Sequence, residues 1–136
     1  KIPPEIKNGD SVIFWSSVPL LWENYTIDSV KVKKRKIKEG TITLNAVTTT
    51  AIFVNFSCLE KSFYYHVQTA FSKKKSWVNR EALNDKTLLH HEQLHFDLTE
   101  LYARKIRKVL TGFSNPCLNK KSIERVVASS WFCKLR

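Results

Sequence analysis

The feature that most constrains the fold is a switch in hydrophobic period near Asn84-Asp85. Upstream of it, apolar side chains alternate or gather in β-branched and aromatic tracts. Downstream, they recur at every third or fourth position. Strand-forming sequence collected ahead of helix-forming sequence, with no regular alternation of the two, predicts an α+β domain rather than a parallel α/β sheet.

Within the first part, the segment from Thr41 to Ser57 is rich in Thr, Val, Ile and Phe, whose side chains suit a pleated, half-buried surface, and it reads as one long or two shorter strands. After a polar break at Glu60-Lys61, the segment Ser62 to Phe71 sets Phe63, Tyr65, Val67 and Thr69 on one face, so an antiparallel hairpin is the economical arrangement. Further upstream, Ser29 to Ile37 alternates apolar with basic residues and ends at a Glu39-Gly40 turn. This fits an exposed edge strand, because lysine on an edge discourages sheet-to-sheet pairing. The start is irregular, marked by Pro3, Pro4, Gly9 and Asp10, and leads to an apolar stretch from Val12 to Trp22 that Pro19 interrupts.

The second part opens with an Asx pair suited to capping a helix N-terminus, since its side chains can accept from free amides of the first turn. A helix is predicted from about Lys86 to Leu110, with Leu88, His91, His95, Leu98, Tyr102, Ile106 and Val109 along one apolar stripe. Basic residues Arg104, Arg107 and Lys108 suit the negative end of its dipole. Gly112 and Pro116 close it, and a shorter helix is expected over Lys121 to Cys133.

At 136 residues the chain has room for one domain, 1–136, and 43% hydrophobic residues are enough for a packed core. The uncharged stretch from Ser11 to Trp22 is too short to cross a bilayer. A start at Lys1 suits a mature exported chain and equally a trimmed one. Cys58, Cys117 and Cys133 form no CxxC pair, which leaves one disulfide with a spare thiol or three core cysteines. The formal charge of +11 gathers at Lys31 to Lys38, Lys73 to Lys75 and Arg104 to Lys108. Such clusters suit an anionic envelope surface or a nucleic acid, but no nucleic-acid motif accompanies them. Solvated faces are the simpler account, and no specific nucleic-acid partner is expected.

Chemistry concentrates at His91-Glu92-Gln93-Leu94-His95, an HExxH pattern on the predicted helix. Two His four residues apart project from one helix face a turn apart, so both imidazoles can hold one Zn²⁺. Glu92, rotated by about 100° from His91, falls beside that ion as a general base for its water. Zinc lowers the pKa of bound water to about 7 and polarises a carbonyl, which is hydrolytic machinery. Both His also share the apolar stripe with Leu98 and Tyr102, where unpaired imidazoles would be costly.

A third ligand is less plainly marked. The extended HExxHxxGxxH form is missing and there is no Met for a Met-turn, which excludes the metzincin class. Downstream of Glu100 the one carboxylate side chain is Glu124, the first choice. His66, on the strand Ser62 to Phe71, is the alternative and would otherwise steady an oxyanion, as would a Tyr. His90 points away from His91, while Asp97 and Glu100 read as supporting groups, with Asp97 placed to orient a ligand imidazole.

The run LLHHEQLHFDLTELYARKIRK, from Leu88 to Lys108, preceded by Ser76-Trp77, resembles a bacterial family of predicted secreted zinc-dependent proteases whose function is unassigned. The shared features are a strand ending near Ser-Trp, a helix bearing HEQ-x-HFD, and the continuation Glu100-Leu101-Tyr102-Ala103-Arg104. The resemblance implies His91 and His95 as ligands, Glu92 as base, and a secreted or periplasmic location. Together these readings predict a zincin-like α+β domain in which a small antiparallel sheet packs on the motif helix and a C-terminal helix supplies the remaining ligand. The expected activity is zinc-dependent peptide hydrolysis. Its rivals are a non-catalytic metal-binding or structural envelope protein and a basic nucleic-acid-binding domain.

Overall fold

The computed structural model describes residues 11–28 and 33–132. The irregular start, the first part of the basic edge strand and Cys133 lie outside the described residues. Among the described residues eight strands and two α-helices follow one another as β1 (Val12–Phe14), β2 (Thr26–Asp28), β3 (Lys33–Ile37), β4 (Gly40–Leu44), β5 (Ala46–Val47), β6 (Thr50–Leu59), β7 (Ser62–Ser72), β8 (Trp77–Asn79), α1 (Lys86–Thr111) and α2 (Lys120–Phe132).

The expectation of a zincin-like domain on one small antiparallel sheet is corrected here. The strands divide among three sheets, in the orders β1-β7-β6, β2-β8-β5 and β3-β4. The second is mixed, since β2 runs parallel to β8, with Ile27 opposite Val78, while β5 runs antiparallel to it. The tract from Thr41 to Ser57 contributes to all three sheets in turn through β4, β5 and β6. Alternation of residue types reports a strand's two faces. It carries no record of which distant strand becomes the neighbour, and a parallel pairing needs a long crossover that local pattern cannot reveal.

β6 and β7 form the largest pairing, a hairpin with Val54 opposite Val67 and Leu59 opposite Ser62. Its two-residue turn holds Glu60 at φ 49° and Lys61 at φ 70°, the positive-φ geometry whose twist matches the flanking strands. The face bearing Tyr65, Val67, Thr69 and Phe71 carries α1. Phe71 meets Phe96 with ring centroids 5.9 Å apart, and Val67 packs with Ala103, Ile106 and Leu110. Asp85 caps the helix, its side chain accepting from the Leu88 amide at 2.8 Å.

Which face of α1 is buried differs from the stripe read in the sequence. The inward residues are Glu92, Phe96, Glu100, Ala103, Ile106 and Leu110, whereas His91, His95, Leu94 and Leu98 face solvent. Leu94 and Leu98 are 49% and 48% exposed. The amphipathic pattern is rotated because two carboxylates take core positions, one of them with a guanidinium partner. Residue-type counting assigns charged groups outward and so misplaces the face.

A disulfide joins Cys58, near the end of β6, to Cys117, in the short 3-10 turn before α2, and so settles the cysteine alternatives for these two residues. It closes a loop with a sequence separation of 59, for which a chain-entropy estimate gives about 4 kcal/mol of stabilisation. No helix among the described residues is long and apolar enough to cross a membrane.

Candidate metal centre

His91 and His95 stand one turn apart on the exposed side of α1. Their Nε2 atoms approach to 3.2 Å, and the rings meet edge to face, at an interplanar angle of 88°. With metal–nitrogen bonds of about 2.0–2.1 Å, two nitrogens so spaced subtend about 100° at a shared ion, close to a tetrahedral angle. The donor chemistry of the pair therefore fits zinc or another borderline divalent ion. The donor atoms of His91, Glu92 and His95 all lie within 4.8 Å of one another, and among the described residues they are the one such group.

Glu92 is the inward member, 4% exposed. Thr48, in the link between β5 and β6, donates its hydroxyl proton to Glu92 Oε2, and the Thr48 oxygen lies 2.8 Å from the Tyr25 hydroxyl. Tyr25 is itself buried. Burial, joined by the charge of Glu92, pushes its phenol up to about 12 against the opposing hydrogen bond with Thr48, so it stays protonated. Thr48 and Thr50 both reach α1: Thr50 Oγ1 lies 2.7 Å from Thr99 Oγ1, while Thr49 between them bonds the Lys75 carbonyl instead.

The remaining candidates go elsewhere. Glu124, the expected third ligand, is exposed on α2 beside a groove of about 410 Å³ lined by Ile52, Val54, Phe56, Ile106 and Val127. Ile106 lies three turns beyond His95, about 16 Å along the helix axis, so Glu124 does not join the two imidazoles. His66 opposes Asn55 in the hairpin and alternates with Tyr65 and Val67, which places it on the face turned away from α1. Asp97 orients no imidazole. Its Oδ1 accepts from Trp15 Nε1 at 2.8 Å and from Gln93 Nε2 at 2.9 Å, and Gln93 in turn accepts from the Leu20 amide at 2.7 Å. These bonds strap the segment after β1 along α1.

Glu100 is buried and tied to Thr69 Oγ1 at 2.7 Å, Arg107 Nη1 at 2.7 Å and Arg104 Nε at 3.2 Å. Burial alone would raise its pKa. The hydrogen bonds from Arg107 and Thr69 and the Arg107 charge outweigh that and hold it below the usual carboxylate range. His91 and His95 prove exposed, so the cost of burying unpaired imidazoles, which the sequence stripe suggested, does not arise. What replaces it is a carboxylate buried beside them.

Thr48 and Tyr25 are neighbours of Glu92 that the sequence did not mark. Val47-Thr48-Thr49-Thr50 reads only as strand-forming residues, and nothing in its spacing refers to a helix 44 positions away. No protein-family model, no curated protein and no solved structure matches this chain.

Proposed function

We propose that the chain is a zinc-dependent peptide hydrolase exported from the cell. The observation that carries this reading is the pair of imidazole nitrogens 3.2 Å apart on an exposed helix face, with an inward carboxylate within reach. Glu92 is buried and meets a neutral hydroxyl, and departures of this kind from the rules of stable packing concentrate at functional sites. Among the described residues Thr48 is the one side chain that hydrogen-bonds Glu92, in contrast to the doubly arginine-paired Glu100.

His91 and His95 would hold the ion through Nε2, each fixed on the same rigid helix. A bound divalent ion supplies acidification of a water and polarisation of the scissile carbonyl. Glu92 takes a proton from the attacking water and returns it to the leaving amine. The Cys58–Cys117 disulfide supports export, because such bonds persist in oxidising compartments. The excess of 23 basic over 12 acidic residues favours acidic polypeptide substrates and proximity to an anionic envelope surface.

The test is elemental analysis of protein purified without chelator, paired with hydrolysis of an unfolded protein such as casein. One zinc per chain, lost in His91→Ala, with turnover abolished in Glu92→Gln, is the expected result. Hydrolysis that survives both Glu92→Gln and chelator treatment sinks the assignment.

A further inference from the structure

We propose that Thr48, backed by Tyr25, is a positioning residue that fixes the orientation of the Glu92 carboxylate, engaging Oε2 so that Oε1 is the oxygen presented to the reaction. The inference rests on the hydrolase reading of the site, but it arises from a separate set of contacts. A hydroxyl has a single proton to give. A carboxylate oxygen accepts, so the Thr48 proton goes to Glu92 Oε2, and Tyr25, buried among Leu20, Ala46 and Phe71, is left to donate to the Thr48 oxygen.

The position of this chain is fixed at its inner end. Tyr25 is wedged by edge-to-face contacts with Trp22 at 5.0 Å and Phe71 at 4.9 Å between centroids, so its hydroxyl has little freedom to turn elsewhere. Thr48 is pinned in turn by its backbone, lying between β5, which pairs with β8, and β6, which pairs with β7. Glu92 therefore sits at the end of a neutral hydrogen-bond chain rooted in the aromatic core. Its carboxylate plane is set by that chain.

Three variants test this: Thr48→Val, Thr48→Ser and Tyr25→Phe, each assayed for zinc content, kcat and KM. Separately, the rate at which a water-soluble carbodiimide modifies Glu92 is followed by peptide mass spectrometry. Removing the donor in Thr48→Val should lower kcat by about 10- to 100-fold, with KM and zinc stoichiometry kept within about two-fold, since misplacing a reacting group by an ångström has effects of that size. Thr48→Ser should recover most of the rate. Glu92 should be modified several-fold faster in Thr48→Val than in the parent or in Thr48→Ser, and Tyr25→Phe should show the same changes at about a third of the magnitude. If Thr48→Val does not fold, the Tyr25→Phe comparison decides alone. Unaltered kcat and unaltered modification in the folded variants overturn the proposal, as does equal loss in Thr48→Val and Thr48→Ser accompanied by loss of zinc. A parent protein that hydrolyses nothing removes the hydrolase reading, and the modification rates then decide the positioning role by themselves.

Discussion

Two glutamates enter the core from the same face of α1, two turns apart, and they are treated in opposite ways. Glu100, 6% exposed, is met by Arg107, Arg104 and Thr69, and Arg107 also donates through Nη2 to the Val67 carbonyl at 2.7 Å. Glu92, 4% exposed, is met by a hydroxyl that is itself held by a phenol. The first arrangement cancels a charge and ties helix to hairpin. The second holds a carboxylate through a neutral donor, beside two imidazoles in solvent. A buried acid is thus no sign of function by itself; what matters is whether its partners neutralise it.

The comparison breaks most directly at its reactive end. Glu92→Gln should reduce peptide hydrolysis by about 10²- to 10⁴-fold, measured as kcat/KM, while Glu100→Gln should leave turnover of the folded protein within a few-fold of the parent. Should Glu100→Gln prove the more damaging to kcat in folded protein, the division of roles between the two acids is wrong.

Next in size is the disulfide. It anchors α2 and the outer end of the hairpin, well away from the imidazoles. Cys58→Ser with Cys117→Ser should lower unfolding free energy by about 4 kcal/mol in a urea titration yet leave zinc stoichiometry unchanged in the folded protein.

At the structural end, Arg107→Met strips Glu100 of its nearest cation and should destabilise the fold by about 2–3 kcal/mol, a loss the remaining Arg104 contact limits. Because the Glu100 pKa in the folded protein is lowered from its ordinary 4.5, the stability it contributes is present above that value and is lost as pH falls through the folded value. Acid titration of unfolding should therefore steepen below about pH 4.5 in the parent and flatten in Glu100→Gln. Smallest of all, Trp15→Phe removes the indole bond to Asp97 but keeps an aromatic ring under the Arg104 guanidinium, and should cost about 1 kcal/mol with no change in metal binding.

Much of the local structure was legible. The Asx cap at Asp85, the three-and-four spacing that continues to Thr111, and the alternation of Phe63, Tyr65, Val67 and Thr69 all concern residues a few positions apart, where backbone geometry alone decides who is neighbour to whom. Glu124 lies apart from the imidazoles for the opposite reason. A carboxylate late in the chain was eligible by type, but the disulfide and the contact of Ile123 with the Ile106–Leu110 end of α1 hold α2 near the far end of the motif helix. The three-sheet division was hidden likewise, since β8 draws one neighbour from β2 and the other from β5.

By itself, then, the sequence determined that a helix would carry His91 and His95 a turn apart, because a spacing of four on a 3.6-residue spiral leaves no other outcome. Only the tertiary structure decided that the imidazoles would face solvent and Glu92 the core. It also decided that Thr48 and Tyr25 would hold that acid while two arginines hold the other. Those choices arise from packing between segments 23 and 44 residues apart, and such contacts are selected by the collective fit of the core rather than by any pattern in the chain nearby.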